Sequence, residues 1–189
     1  MATGSSGSKR KRTRRPLPRV SVLRIGHRAG RDPRLTTHLA LTARAFGAEQ
    51  MFLHPPDPAL AERLLTVSRG WGGHFRVVGA DDWKAVVRTF GGTVVHLSMY
   101  GLPLEKTLPR IQRASEVLLV VGGAKVPADL YRRADLNVGV GHQPHSEVAA
   151  VAVVLSRLLG VPGPGGWPGA RRVVVPQSRG KKVVGGRGR

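Results

Sequence analysis

The sequence contains no cysteine among its 189 residues. Disulfide bonds, cysteine-ligated zinc and redox chemistry at sulfur are therefore excluded. No run approaches the roughly 18 apolar residues of a membrane-spanning helix, and the first residues lack the apolar segment of a secretory signal. We therefore expect a soluble protein of the cytoplasm.

Two common nucleotide-binding signatures are missing as well. There is no G-x-x-x-x-G-K-[ST] loop, and the GVG at 139–141 lacks the third glycine of a dinucleotide-binding fingerprint. Kinases, nucleoside triphosphatases and standard dinucleotide-binding enzymes are set aside for this reason.

Acidic residues are absent from both ends of the chain. Residues 1–19 and 171–189 each carry seven lysines or arginines, and the formal net charge of the whole chain is +20. A nucleic-acid partner explains this distribution economically, because each neutralised phosphate releases condensed counterions. A solubilising tail, or a targeting signal at the KRKRTRR segment (9–15), is the alternative.

The sequence pattern predicts one domain and two tails. Residues 1–18 have no apolar periodicity and cannot bury enough apolar area to offset the entropy of ordering, so we expect a disordered basic tail. The domain spans 19–184 and ends in a β-hairpin at about 171–184, where two short apolar runs flank a QSRG turn. Residues 185–189 are expected to form a flexible basic tail.

Short apolar runs alternate with helical segments throughout this domain. The alternation is typical of an α/β fold with a mostly parallel sheet. The nearly continuous apolar runs at 93–97 and 117–122 indicate its central strands. The predicted strands cover 20–25, 50–53, 75–79, 93–97, 117–122 and 136–140. The predicted helices cover 36–47, 58–70, 81–90, 104–113, 127–133 and 145–159.

The last predicted helix is apolar on all sides, because residues 148–155 read VAAVAVVL. Pro144 and Ser146 suit its first turn, Glu147 complements the helix dipole, and Gly160 ends it. We expect this helix to be buried on nearly every side, either in the core or against a second subunit.

Three loops follow apolar strands, namely HLSMYG (96–101), VGGAKVP (121–127) and VGHQPHSE (140–147). In open α/β sheets ligands bind beyond the carboxyl ends of the strands, and glycines let the backbone approach them closely. The loops therefore predict one shared cofactor pocket, with simple tight turns as the alternative.

The histidines of the last loop raise the question of a metal site with Glu147. Helical metal-binding histidines are four residues apart and need a third ligand, whereas His142 and His145 are three apart with Pro144 between them. We predict no metal site.

Arg24, Arg28, Arg31 and Arg34 lie within eleven residues after the first strand. Guanidinium groups suit paired phosphate oxygens, so we expect Arg28, Arg31 and Arg34 to bind RNA or the reacting nucleotide. A merely solvated basic loop is the alternative.

Five stretches together resemble one known family, the archaeal tRNA (cytidine-56)-2′-O-methyltransferases of the SPOUT class. The resemblance covers about residues 20–184. The stretches are RIGHRAGRDPRLTTHLALTARAFGA (24–48), VVHLSMYGLPL (94–104), VVGGAKVP (120–127), GHQPHSEVAA (141–150) and VPQSRGKKVV (175–184).

The resemblance implies a SPOUT fold with a deep C-terminal trefoil knot, a homodimer, and S-adenosyl-L-methionine as cofactor. The implied reaction is 2′-O-methylation of the ribose of cytidine 56 in the T-loop of tRNA. The implied cofactor contacts are Leu97, Gly122, Gly123, Ala124, Lys125, Val126, Val140, Gly141, His142, Gln143, Pro144, His145, Ser146 and Glu147.

Two positions depart from the pattern of related 2′-O-methyltransferases. Those relatives carry an arginine before the TA-x-AFG string that is proposed to activate the ribose hydroxyl, whereas Leu41 stands here. Arg24 is our candidate replacement, and Arg34 and His38 are further catalytic candidates. Ala124 stands where many relatives have an acidic residue.

Two other functions fit part of the sequence. The charge and tails alone fit a non-catalytic, ribosome-associated RNA-binding protein, but such a protein does not need three glycine-rich loops at strand ends. A SPOUT enzyme that acts on another RNA position is the second alternative, which the tRNA-specific stretches disfavour.

Overall fold

The computed structural model describes residues 16–31, 33–123 and 126–185. Most of the two predicted tails, at 1–18 and 185–189, lies outside these residues. The strands are β1 (Arg19–Ile25), β2 (Gln50–His54), β3 (Arg76–Gly79), β4 (Thr93–Pro103), β5 (Glu116–Gly122), β6 (Leu136–Gly139), β7 (Arg172–Val174) and β8 (Val183–Gly185). The helices are α1 (Pro33–Ala45), α2 (Pro58–Trp71), α3 (Trp83–Thr89), α4 (Leu104–Ile111), α5 (Ala128–Arg133) and α6 (Glu147–Leu159).

Within the described residues, six parallel strands form one sheet in the order β3-β2-β1-β5-β4-β6. The predicted α/β class with a mostly parallel sheet is therefore confirmed. The prediction of the central strands was correct for β5 and wrong for β4, which lies next to the edge and pairs with β5 and β6. β1 takes the second central place, because its buried residues are as continuous as those of β5.

The two faces of the sheet are covered by different helices. Neighbouring residues of β5, such as Leu118 and Leu119, point to opposite faces, as a strand period of two requires. Leu119 belongs to a core cluster with α1, α2, α4 and α6. Leu118 belongs to a second cluster with α3 and α5. Both faces of the sheet are thus covered by helices and shielded from solvent, which explains the apolar runs of the central strands.

Among the described residues, side-chain caps set the starts of α2, α3 and α6. The carboxylate of Asp57 accepts a hydrogen bond from the Leu60 amide at 2.9 Å, and Asp82 does the same for the amide of Lys84 at 2.8 Å. Ser146 accepts from the amide of Val148 at 3.1 Å and so begins α6. These bonds satisfy amides that have no partner within the helix.

Within the single chain only one face of helix α6 is buried, so the core accounts for part of the expected burial and burial against a second subunit stays a prediction. One face packs into the core through Ala150, Val151, Val154, Leu155 and Leu158. The opposite face carries Val153, which is 40% exposed. The apolar sequence of α6 therefore exceeds what the core of one chain uses.

Strand β4 is longer than predicted and irregular. Val138 of β6 is the register partner of both Leu97 and Leu102, so residues 98–101 bulge out of the sheet between them. Gly101 closes the bulge where a Cβ atom would lie only 2.4 Å from the Val138 nitrogen. No larger residue fits at this position without moving the backbone of β6.

The last two strands form a separate antiparallel pair. Val173 of β7 is the register partner of Val184 of β8. The segment before β7 is tied to the end of α2, because the Gly73 amide donates to the Pro168 carbonyl at 2.8 Å. None of the described helices has the length and apolar character to cross a membrane.

Candidate active site

A cavity of about 730 Å³ lies beyond the carboxyl ends of β1, β4, β5 and β6. This is the edge at which open α/β sheets bind ligands, and the volume suits a molecule of nucleoside size. Ten residues that we predicted for the site line it. They are Arg24, Arg28, Leu97, Gly122, Gly123, Val126, Val140, Pro144, His145 and Glu147.

The end of β5 forms one wall of the cavity. A Cβ atom on Gly122 would lie 2.7 Å from Cγ2 of Val126 and 3.1 Å from Cγ1 of Ile25. A glycine is needed here because these side chains already occupy the available space. The backbone of Gly122 and Gly123 therefore borders the cavity directly.

The bulge of β4 forms the facing wall, with Ser98, Met99 and Tyr100 lining the cavity. His142 donates a hydrogen bond from Nδ1 to the Met99 carbonyl at 2.9 Å. This bond joins the loop at 140–147 to the bulge. His142 thus has a structural partner, although it does not itself line the cavity.

Arg24 is the deepest charged group at the site. Its residue is 1% exposed, and its Nη1 lies 3.1 Å from Oε1 of Glu147 and 3.1 Å from the Ile25 carbonyl oxygen. A buried guanidinium is costly unless it is paired, and Glu147 supplies the opposite charge. The ion pair joins the end of β1 to the first turn of α6.

The loop between β1 and α1 is anchored by His27. Its Nδ1 lies 2.9 Å from Oγ1 of Thr36, and its Nε2 lies 3.2 Å from Oδ2 of Asp57. The hydrogen bond from the Leu60 backbone amide lowers the pKa of Asp57, and the hydrogen bond with His27 lowers it to a smaller extent. The next residue in the chain, Arg28, lines the cavity.

The other candidates in this region lie farther out. Arg31, Arg34 and His38 are exposed and do not line the cavity. A catalytic role for Arg34 or His38 therefore gains no support from their positions. Ala124 and Lys125 lie outside the described residues. Four more predicted cofactor contacts belong to the lining loop without bordering the cavity, namely Gly141, His142, Gln143 and Ser146.

His96 and Tyr131 line the cavity but were not predicted. His96 is fully buried, and its Nδ1 lies 2.8 Å from Oδ1 of Asn137. The Asn137 amide nitrogen donates to the Tyr131 carbonyl at 2.9 Å, so Oδ1 accepts and His96 carries its proton on Nδ1. Burial lowers the pKa of His96 and keeps the ring neutral.

These two residues differ in how far the sequence could have indicated them. His96 opens the HLSMYG stretch, from which only Leu97 was selected as a contact. Tyr131 lies on the short helix α5 and reaches the cavity through packing, with its hydroxyl 2.9 Å from Oγ of Ser98. No local pattern in the sequence marks such a residue.

Among the described residues, no group of three or more histidine and acidic side chains is placed to hold a metal ion. His145 donates from Nδ1 to the nearby Ser146 carbonyl at 3.1 Å. The two histidines of the 140–147 loop therefore both contact backbone carbonyls. Their contacts are those of residues that shape a loop.

Comparison with known proteins gives a consistent result. A family model described as tRNA ribose 2′-O-methyltransferase, aTrm56, matches residues 71–184. The tRNA (cytidine(56)-2′-O)-methyltransferase of Archaeoglobus fulgidus is 49% identical over 165 residues, which cover 87% of this chain and 98% of that protein. The enzyme of the same name from Cenarchaeum symbiosum is 48% identical, with 89% and 98% covered.

A solved structure with a similar fold is the SpoU methyltransferase AviRb from Streptomyces viridochromogenes, in complex with the cofactor AdoMet. The TM-score is 0.53 at 16% identity, and the match covers 82% of this chain and 62% of that chain. At this identity the likeness shows the fold alone. The sheet and helices described above are thus arranged as in that structure.

Proposed function

Because the chain belongs to the tRNA ribose 2′-O-methyltransferase family, we propose that it methylates the ribose 2′-oxygen of cytidine 56 in the T-loop of tRNA. The cofactor is S-adenosyl-L-methionine. The observation that carries the proposal is 49% identity over nearly the full length of a relative named for this reaction. A non-catalytic RNA-binding protein is not favoured, because it would not need the cavity.

The cavity fits the cofactor by its size and its lining. The backbone of Gly122 and Gly123 borders the cavity, and Leu97 and Val140 offer apolar contacts for an adenine ring. We propose that the cofactor is held by the loops at 121–127 and 140–147. The predicted contacts at Ala124, Lys125, Gly141, His142, Gln143 and Ser146 remain part of this proposal.

When bound, S-adenosyl-L-methionine supplies an electrophilic methyl group on a sulfonium. The chain has to align the ribose 2′-oxygen with that methyl group and exclude water. Arg24 is suited to the first task because Glu147 holds its guanidinium in one position at the cavity wall. A guanidinium stays protonated, so Arg24 would orient the oxygen and stabilise its developing charge rather than take its proton.

The charged surface around the cavity suits the tRNA substrate. Arg28 is exposed and borders the cavity. Arg31 is exposed on the same loop, and Arg34 is exposed at the start of α1. We propose that these three arginines contact phosphates near the reacting ribose. The basic residues at both ends of the chain would add phosphate contacts that do not depend on the nucleotide sequence of the tRNA.

We propose further that the chain forms the deep trefoil knot of SPOUT enzymes and acts as a homodimer. The 140–147 loop contacts the β4 bulge through the hydrogen bond from His142 to the Met99 carbonyl. This contact is compatible with a knotted cofactor site. The exposed apolar face of α6 around Val153 would be covered by a second subunit. A tRNA substrate also favours a location in the cytoplasm.

The decisive experiment is transfer of labelled methyl from S-adenosyl-L-methionine to an unmodified tRNA transcript. A matched transcript with 2′-deoxycytidine at position 56 serves as the control, because it lacks only the accepting oxygen. We expect label in the first transcript, mapped to the ribose of cytidine 56, and none in the second. Label on a base, or at another ribose, would contradict the proposal.

A further inference from the structure

A second cavity of about 420 Å³ lies at the opposite edge of the sheet. Gln50 and Arg76, the first residues of β2 and β3, border it, so it opens at the amino ends of these strands. Strand β2 alone spans about 13 Å, since a parallel strand rises about 3.3 Å per residue. The second cavity is therefore separate from the candidate active site, with which it shares no residue.

A buried cation lines this cavity. Arg44 is 9% exposed, and it donates from Nε to Oγ of Ser68 at 3.3 Å and from Nη2 to the Gly72 carbonyl. Within the described part of the chain, no carboxylate forms an ion pair with its guanidinium, and burial lowers the pKa of Arg44. A buried guanidinium that pairs with no carboxylate among the described residues is suited to an anion from outside.

Further basic groups surround the mouth of the cavity. His74 and Arg76 are exposed and line it, together with the acidic Glu49. Arg76 is oriented by a hydrogen bond from its Nε to Oε1 of Gln50 at 3.3 Å. The cavity thus presents two guanidinium groups at different depths. Such groups match the oxygens of a phosphate.

An aromatic ring forms another wall. The indole of Trp167 comes within 3.3 Å of the position that a Cβ atom on Gly47 would take, and its Cγ comes within 3.4 Å of that position on Gly73. Two glycines thus make room for the ring. The hydrogen bond from the Gly73 amide to the carbonyl of Pro168, the residue after Trp167, ties this segment to the end of α2. Aromatic rings placed beside arginines are typical surfaces for nucleic-acid bases.

We propose that this second cavity binds one nucleotide of the tRNA substrate, with its phosphate between Arg44 and Arg76 and its base against Trp167. The inference rests on the proposed function, because that function makes tRNA the substrate and therefore the polyanion that the protein binds. The contact would lie away from the reacting ribose and would act on tRNA affinity rather than on the methyl-transfer step. It would bind phosphate and a ring face, so it would tolerate different bases.

The test measures binding of an unmodified tRNA transcript at several salt concentrations. Arg76→Gln and Arg88→Gln are a matched pair, because both remove one exposed cation and Arg88, on α3, does not line the cavity. We expect Arg76→Gln to weaken binding about tenfold and to lower the salt slope by about 0.9, the value for one lost phosphate contact. Equal effects of the two substitutions would overturn the proposal.

A second variant examines the ring. Trp167→Leu should weaken tRNA binding severalfold without changing the salt slope, since a lost stacking contact releases no counterion. In the wild type, cytidine 5′-monophosphate serves as the probe for a free nucleotide. Quenching of tryptophan fluorescence by this probe, with tRNA binding unchanged in both cavity variants, would show a site for free nucleotides and overturn the proposal for tRNA.

The same variants separate this inference from the proposed function. In Arg76→Gln we expect a raised KM for tRNA, an unchanged kcat and an unchanged affinity for S-adenosylhomocysteine. If the wild type methylates cytidine 56 but KM is unchanged in both variants, the second site is refuted and the proposed function stands. If the wild type does not methylate tRNA at all, the proposed function is refuted, whatever the two variants show in the binding measurements.

Discussion

The guanidinium of Arg24, near the end of β1, lies 3.1 Å from the carboxylate of Glu147, the first residue of α6. The side chain of Arg24 is 1% exposed and that of Glu147 18% exposed, so the pair is largely shielded from solvent. Both residues line the cavity assigned to the cofactor and the reacting ribose. The pair therefore holds a guanidinium at the wall of the cavity in which we propose that the methyl group is transferred.

Replacement of Arg24 by alanine is expected to reduce methyl transfer by about 10²–10³-fold, the usual loss when an oriented donor to a developing charge is removed. The affinity for S-adenosylhomocysteine, measured by calorimetry, should stay close to that of the wild type. Arg88→Gln, which removes a charge outside the cavity, is the control. Loss of cofactor affinity in Arg24→Ala, or full residual activity, would refute the assignment of Arg24.

Substitution of Gly122 by alanine tests the cofactor wall. The added Cβ atom would lie 2.7 Å from Cγ2 of Val126, so this side chain and the loop after it must shift. Overpacking of this kind costs about 1–3 kcal/mol, and we expect about a tenfold loss of affinity for S-adenosylhomocysteine.

Gly91→Ala is the matched control for Gly122, because nothing lies within 4 Å of a Cβ atom at that exposed position. It should leave the affinity unchanged. Equal affinities of the two variants, with both proteins folded by thermal melting, would argue against a cofactor site at the end of β5.

The buried ring of His96 predicts a pH dependence of stability. Burial lowers its pKa below the ordinary value of 6.5, so the unfolded chain takes up the proton first as the pH falls. The stability associated with the neutral ring is present above pH 6.5 and is lost as the pH drops below it. The slope from one such group is at most about 1.4 kcal/mol per pH unit.

Urea unfolding at a series of pH values between about 5 and 8 measures this effect. His96→Gln keeps a donor for Asn137 but does not titrate, so its free energy of unfolding should depend less on pH in the acidic range. Identical slopes for the variant and the wild type would show that His96 does not contribute.

Deletion of residues 1–18 tests the basic tail. We expect weaker tRNA binding and a shallower dependence of the affinity on salt, because six of the seven basic residues among positions 1–19 are removed. The affinity for S-adenosylhomocysteine should not change, since the cavity is formed by later residues. An unchanged salt slope would show that the tail makes no contact with tRNA.

The sequence by itself determined the α/β class, the parallel sheet and the limits of most helices. The apolar runs and caps act locally, as the contact between Ser146 and the Val148 amide shows. The sequence also predicted which loops lie together, since the carboxyl ends of parallel strands share one edge of the sheet. The resemblance to the methyltransferase family was carried by those loops together with the stretches at 24–48 and 175–184.

Only the tertiary structure decided which side chains meet. The pairing of Arg24 with Glu147, the place of His96 and Tyr131 at the cavity, and the exposed positions of Arg34 and His38 depend on how distant elements pack. The same holds for the second cavity, where Arg44 and Trp167 come together from opposite ends of the domain. Sequence patterns record burial and local conformation, whereas contacts between distant residues are fixed by the sheet order and the bulge of β4.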